Sequence, residues 1–289
     1  MGDLVLAVTQ MACGWDRAAN IAQAEALVRA AAAQGANLVL LQELFETPYF
    51  CSEQKADHFD LAAPFEGNPL IAHFAALAKD LGVVLPISFF ESTQRQFFNS
   101  MAMVDADGTV LGLYRKTHIP DGPGYQEKFY FTPGDTGFRV WNTTVGRIGV
   151  GICWDQWFPE AARAMAVMGA DVLLYPTAIG SEPQAPDLQS KDHWQRVMQG
   201  HAGANMAVLA ASNRVGTERV GETISFYGGS FIADETGAKI AEMGDTSGVA
   251  LARFDLDRIR RARAAWGIFR DRRPEKYGAI VPTPTTSQF

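Results

Sequence analysis

The chain has 289 residues, of which 47% are hydrophobic and 20% charged, with a formal net charge of -7. That balance describes a folded globular chain with material for a sizeable core, and nothing in it attracts a nucleic-acid backbone. Three cysteines, Cys13, Cys51 and Cys153, are too few and odd in number for a disulfide framework, and no CxxC pair or Cys/His cluster points to a metal.

The N-terminal "MGDLVLAVTQM" lacks a basic region leading into a long apolar run, and nowhere does an apolar run reach membrane-spanning length. A cytoplasmic protein with no membrane and no nucleic-acid partner is expected. "LVLAVTQ" (4–10) reads as a strand. Residues 17–35 read as a helix with Ile21, Ala24, Leu27 and Val28 on one face, stopped at Gly35. "NLVLLQE" (37–43) is apolar without alternation, the mark of a strand buried on both faces. A second helix over 69–82 again stops at glycine and is followed by a strand, "VVLPISFF" (83–90). Residues 99–116 read as a hairpin turning at Asp107-Gly108.

The plan then recurs. A strand (146–153), a helix (159–169), a buried strand (170–177), a helical pattern (187–205), a strand (207–213) and a hairpin (229–244) follow in order. "AAAAQGANLVLLQE" parallels "AMAVMGADVLLYPT", and "SMAMVDADGTVL" parallels "GSFIADETGAKI", in the same order. Two similar α/β halves are expected, in a single domain spanning 1–280 with a tail over 281–289. Two stacked sheets with helices outside fit the pattern, as does one doubly wound sheet. The tail, "VPTPTTSQF" from Val281, is too polar to build a core.

Three reactive side chains fall at the ends of expected strands: Glu43, Lys116 and Cys153. Each has a plain structural explanation taken singly: a surfacing acid, a solvated basic pair with Arg115, and an apolar core thiol. Together they compose a mechanism. A thiol is a weak nucleophile at neutral pH until a base takes its proton. A carboxylate supplies that base, and a lysine stabilises both thiolate and oxyanion. The backbone N–H of Trp154, next after the cysteine, is a second oxyanion donor. The helix start at Pro159 aims further amides toward negative charge.

These segments, "LLQELFETPYF", "YRKTHIP" and "GVGICWDQWFPE", resemble those of the nitrilase superfamily of carbon–nitrogen hydrolases, and the resemblance runs from "VLAVTQM" to about Tyr277. It implies an α/β fold arranged as a four-layer αββα sandwich of two similar halves, no cofactor, and a Glu43–Lys116–Cys153 triad. It also implies a role for Glu127 as a second glutamate beside the lysine. Homo-oligomers with crossing C-terminal arms are common in the family, and the tail is compatible with one.

"RKTHIPDGPGYQEKFYFTPGDTGF", "ICWDQWFPEAAR" and "YPTAIGSEP" resemble members acting on a small cationic ureido substrate. Such a substrate needs an acid for its ammonium and apolar walls between the two ends. Glu182 is the candidate acid; Tyr49, Tyr125, Tyr130, Trp154 and Trp157 are candidate walls. An anionic carbamoyl amino acid would instead need an arginine such as Arg163 or Arg214. A catalytically silent assembly module is the non-enzymatic reading, and it predicts a broken triad. His118 reads as an orienting residue of the lysine loop, and Asp155 has no role from sequence.

Overall fold

Fourteen strands and five helices emerge among residues 3–281, which the computed structural model describes. The first half contains β1 (Leu4–Gln10), α1 (Arg17–Ala33), β2 (Leu38–Leu40), α2 (Pro69–Leu81), β3 (Leu85–Ser92), β4 (Phe97–Val104) and β5 (Val110–Arg115). The second half contains β6 (Val140–Thr143), β7 (Gly146–Val150), α3 (Pro159–Val167), β8 (Val172–Pro176), α4 (Lys191–Asn205) and β9 (Val208–Ser212). It continues with β10 (Val215–Arg219), β11 (Thr223–Tyr227), β12 (Phe231–Ala233), β13 (Lys239–Glu242), β14 (Gly248–Phe254) and α5 (Leu256–Trp266). No helix among the described residues is long and apolar enough to cross a membrane.

Twelve of the strands form two sheets of the same design, and β10–β11 is a separate antiparallel pair. One has the order β13-β12-β9-β8-β7-β6. The other joins the ladders β14-β1-β2 and β3-β4-β5 through a parallel bridge, Leu38 to Val84. There the Val39 N–H donates to the Val84 carbonyl (3.1 Å) and the Val84 N–H to that of Asn37 (2.9 Å). Each sheet therefore holds one parallel trio, β1-β2-β3 or β7-β8-β9, with antiparallel strands outside it. The paired motifs of the sequence occupy equivalent places: α1–β2 matches α3–β8, and β4–β5 matches β12–β13.

Burial explains why the central strands read as unbroken apolar runs. Leu4, Leu6, Val8, Leu38 and Leu40 of one sheet meet Ile148, Val150, Val172, Leu174 and Val208 of the other. The opposite face of the first sheet packs on Ala24, Val28 and Ala31 of α1 and Phe74, Leu77 and Ala78 of α2. That of the second packs on Met165 of α3 and on Trp194, Met198 and Ala202 of α4. The result is the expected αββα sandwich; the single doubly wound sheet is excluded. Ile21 and Leu27, expected on the α1 face, are only partly buried at its margin.

Several boundaries differ from expectation. β2 stops at Leu40, so Glu43 lies beyond the strand in a turn where Leu44 has φ 49°. β7 stops at Val150, and Cys153 opens a short 3-10 segment ending at Trp157. The helix expected from 187 begins at Lys191. The β10–β11 hairpin, β6 and β14 went unread. β14 pairs with the whole of β1 from the far end of the chain, a long-range register that no local pattern reveals. Beyond Val281 the expected tail lies outside the described residues.

Candidate active site

Three chain turns at the same end of the sandwich bring the reactive groups together. The first is the turn after β2. Arg214, fully buried, donates through Nη2 to the carbonyls of Glu43 (3.0 Å) and Leu44 (2.7 Å), and through Nη1 to that of Thr47 (2.9 Å). The Ser88 hydroxyl accepts from the Leu44 N–H at 3.0 Å. These bonds hold a left-handed turn that a bulky residue does not adopt unaided. Lys116 enters directly after β5, its N–H donating to the Asn99 carbonyl of β4 at 2.8 Å. Cys153 sits at φ 41° where β7 gives way to the 3-10 segment. A non-glycine residue in that region is strained, and such strain concentrates at functional sites.

Glu43, Lys116 and Glu127 are completely buried and share one ion-pair network. Lys116 Nζ donates to Glu43 Oε1 (2.8 Å) and Glu127 Oε2 (2.7 Å). Asn99 Nδ2 donates to the same Glu43 Oε1 (2.7 Å), and the Tyr49 hydroxyl to Glu127 Oε1 (2.6 Å). Glu43 Oε2 is left buried without a partner, an acceptor in reserve. The lysine uses two of its three donors, leaving one for a ligand oxygen.

The electrostatics follow from this packing. Burial pulls the Lys116 ammonium down, but Glu127, Glu43 and Cys153 outweigh it and hold it well above the usual lysine range. Burial pushes Glu127 up to about 7; Glu43 adds to the rise, and Lys116 and Tyr49 oppose it. Burial, reinforced by Glu43 and opposed by Lys116, drives the Cys153 thiol well above its ordinary value of 9.0. The resting sulfur is therefore a thiol, its Sγ 3.8 Å from the Ala178 carbonyl. Alkylation of Cys153 by iodoacetamide, followed on its own peptide by mass spectrometry, should climb steadily with pH through neutrality because only the thiolate reacts. A plateau already reached at neutral pH would contradict this.

A cavity of about 120 Å³ opens over the sulfur. Cys153 and Glu127 reach it; Tyr49, Tyr125, Trp154 and Trp157 wall it, and Glu182 lies on its rim. The first bond inside the 3-10 segment is Asp155 N–H to the Ile152 carbonyl (3.0 Å), so the Trp154 N–H precedes the ladder. The Tyr125 hydroxyl holds the Glu182 loop, accepting from Gly180 N–H (3.0 Å) and donating to the Ser181 carbonyl (3.1 Å). Burial raises Glu182 above the ordinary carboxylate value, with a bond from Gln184 opposing.

Tyr130 corrects the expected wall. Its ring is buried in an aromatic cluster with Phe50, Phe59 and Phe131, and its hydroxyl donates to the Glu53 carbonyl at 2.7 Å. It lies three residues beyond Glu127, past the 3-10 turn Glu127–Phe129, and so faces away from the cavity. The two candidate arginines are elsewhere as well. Arg214 commits both Nη atoms to the Glu43 turn and Glu218 and is fully buried, and Arg163 donates to the Ala204 carbonyl (2.8 Å) with its guanidinium over Phe269. Among the described residues, the charged groups lining the cavity are Asp121, Glu127 and Glu182, all acidic.

Asn99 was missed in the sequence, where Arg214 stands only as a partner for an anionic substrate, not as the brace of the Glu43 turn. The signal for Asn99 was present: an amide inside the apolar run "FFNSMAMV" is costly unless it bonds something specific. Arg214 follows "AVLAASN" at a strand end and gives no local hint that it reaches back to residue 43.

The profile of the carbon–nitrogen hydrolases matches residues 5–264. The chain is 58% identical over 285 residues to N-carbamoylputrescine amidase of Arabidopsis thaliana, covering 96% of this chain and 95% of that one. It is 53% identical over 284 residues to citrullinase of Francisella tularensis subsp. tularensis, covering 97% and 99%. The crystal structure of a carbon–nitrogen hydrolase from Helicobacter pylori superposes with a TM-score of 0.90 at 39% identity, covering 97% of this chain and 99% of that one. A family match over most of the chain, a fold shared with the Helicobacter pylori hydrolase over nearly its whole length, and a buried Glu–Lys–Glu network beside a strained cysteine make this chain a member of the carbon–nitrogen hydrolase family.

Proposed function

We propose that the protein hydrolyses N-carbamoylputrescine to putrescine, carbon dioxide and ammonia, through a thioester on Cys153. Glu43 Oε2 takes the thiol proton as Sγ attacks the carbamoyl carbon. Lys116 Nζ and the Trp154 N–H hold the oxyanion. Collapse expels one amine, which receives the proton from Glu43. Glu43 then takes a proton from water, whose oxygen attacks the thioester carbon. The sulfur leaves and regains its proton from Glu43, and the released carbamate loses carbon dioxide to give the second amine. One water is consumed in all. Glu127, bonded to Lys116 and facing the cavity, orients the lysine and the substrate nitrogen.

The observation that carries the substrate is the charge of the cavity. Away from the reacting end, where Lys116 is already paired with Glu43 and Glu127, its lining offers acids and no Arg or Lys, and Glu182 forms no ion pair among the described residues. A terminal ammonium beside Glu182 supplies the missing countercharge, with the four-carbon chain against Tyr125, Trp154 and Trp157. The identity to N-carbamoylputrescine amidases supports the same reading. Citrulline carries the same ureido end but adds a carboxylate, for which the lining has no cation; the 53% identity to a citrullinase makes it the compound to test beside the first.

Glu182→Gln should raise KM for N-carbamoylputrescine by roughly 10–100-fold, the worth of a charge-assisted hydrogen bond. Butylurea, which lacks the amine, should be hydrolysed by the variant about as well as by the parent. Equal losses on both compounds, or faster release of ammonia from citrulline than from N-carbamoylputrescine by the parent, would overturn the assignment.

A further inference from the structure

Asp155 is completely buried, and four donors from two chain segments converge on its carboxylate. Oδ2 accepts from the Ile152 N–H (2.9 Å), just before the nucleophile, and from the Tyr114 hydroxyl (2.7 Å) on β5. Oδ1 accepts from the N–H (3.0 Å) and the ring Nδ1 (2.7 Å) of His118, two residues beyond Lys116. An ionised carboxylate only accepts, so Nδ1 carries the imidazole proton. The His118 ring is further locked by stacking on Phe158, with centroids 3.6 Å apart and planes 6° from parallel. No other contact described above joins the nucleophile turn to the lysine segment so directly.

We propose that Asp155, with His118, is a positioning clamp that sets the placement of Lys116 relative to Cys153. The inference rests on the reading of Cys153 as nucleophile and Lys116 as oxyanion partner. The carboxylate touches neither reacting atom. It bonds one backbone N–H on the nucleophile side, and a backbone N–H, an imidazole and a phenol on the lysine side. Cys153 is held in a strained left-handed conformation, and the bond to Ile152 N–H secures the residue before it. Losing the carboxylate frees both turns, and a displacement of about 1 Å between reacting groups costs on the order of 10²-fold in rate.

The test uses N-carbamoylputrescine with Asp155→Asn, His118→Ala and His118→Asn, after thermal melts show each folded at the assay temperature. Asp155→Asn should lower kcat roughly 10²-fold with KM within about threefold, since the groups displaced act on the transition state. His118→Ala should lower kcat by about tenfold, and His118→Asn, whose amide reaches the same carboxylate oxygen, should restore most of it. A purely structural role would lower the melting temperature and leave kcat intact. A folded Asp155→Asn variant with parental kcat, or equal losses for Ala and Asn at position 118, would overturn the clamp. If Asp155→Asn does not fold, the two His118 variants decide. Turnover surviving in Cys153→Ala would instead remove the nucleophile reading itself, so the two failures are distinct.

Discussion

Cys153→Ala is expected to lower turnover of N-carbamoylputrescine by roughly 10⁴–10⁶-fold, the scale on which losing a covalent nucleophile acts, and to leave the fold intact. The two halves of that expectation have separate causes. Without sulfur no thioester forms, and a buried glutamate cannot activate water against a ureido carbon that resonance has made unreactive. The fold survives because the removed atom is small and is tied only by a weak bond to the Ala178 carbonyl. Alanine meets the same positive φ that cysteine tolerates, so the backbone strain is unchanged. Ammonia release measures the first and a thermal melt the second, and mass spectrometry of the parent and the variant mixed rapidly with substrate should find the thioester adduct on the parent alone. Activity within tenfold of the parent, with intact protein, would end the thioester mechanism.

Glu43→Gln should lower kcat by roughly 10²–10⁴-fold, the range that a positioned general base contributes. The substitution is isosteric, and the amide oxygen can still accept from Lys116 and Asn99. It also leaves a neutral Lys116–Glu127 pair behind, whereas removing Lys116 would strand two buried carboxylates at a cost of about 3–5 kcal/mol. The chemistry lost is the transfer through Oε2, the one carboxylate oxygen in the network without a partner. Both acylation and deacylation need that transfer. If deacylation suffers more, an adduct accumulates on Cys153, and its mass identifies the amine that left first. A variant turning over within about fivefold of the parent would remove Glu43 from the base role, since that factor lies below what a general base supplies.

Much of the architecture was legible because burial leaves a pattern. Central strands covered on both faces lose polar alternation, and helices stopped at or near glycine announce their ends. The repeat of α1–β2 in α3–β8 was legible for the same reason: equivalent layers demand equivalent apolar faces. Elements defined by distant partners were not legible. β14 is a strand because β1 lies beside it. Tyr130 illustrates the same limit at the level of one side chain. Proximity to Glu127 in sequence suggested a cavity wall, but the intervening 3-10 turn points the ring into the Phe50 cluster.

The sequence by itself determined which residue types meet: a thiol, two carboxylates and a lysine, at the ends of segments whose apolar pattern makes them strands. Its internal repeat determined two similar α/β halves, and the packing of one sheet on the other decided between two stacked sheets and one doubly wound sheet. Only the tertiary structure decided which oxygen of Glu43 is spoken for and which is free, and that the arginines able to hold an anion are committed elsewhere. Only it gave Asp155 a place, at the junction of the nucleophile turn and the lysine segment. The reason is physical. Burial is a property of each residue and is written locally, whereas a hydrogen-bond partner and a countercharge are chosen among groups far apart in the chain, and the choice exists only after the sheets have packed.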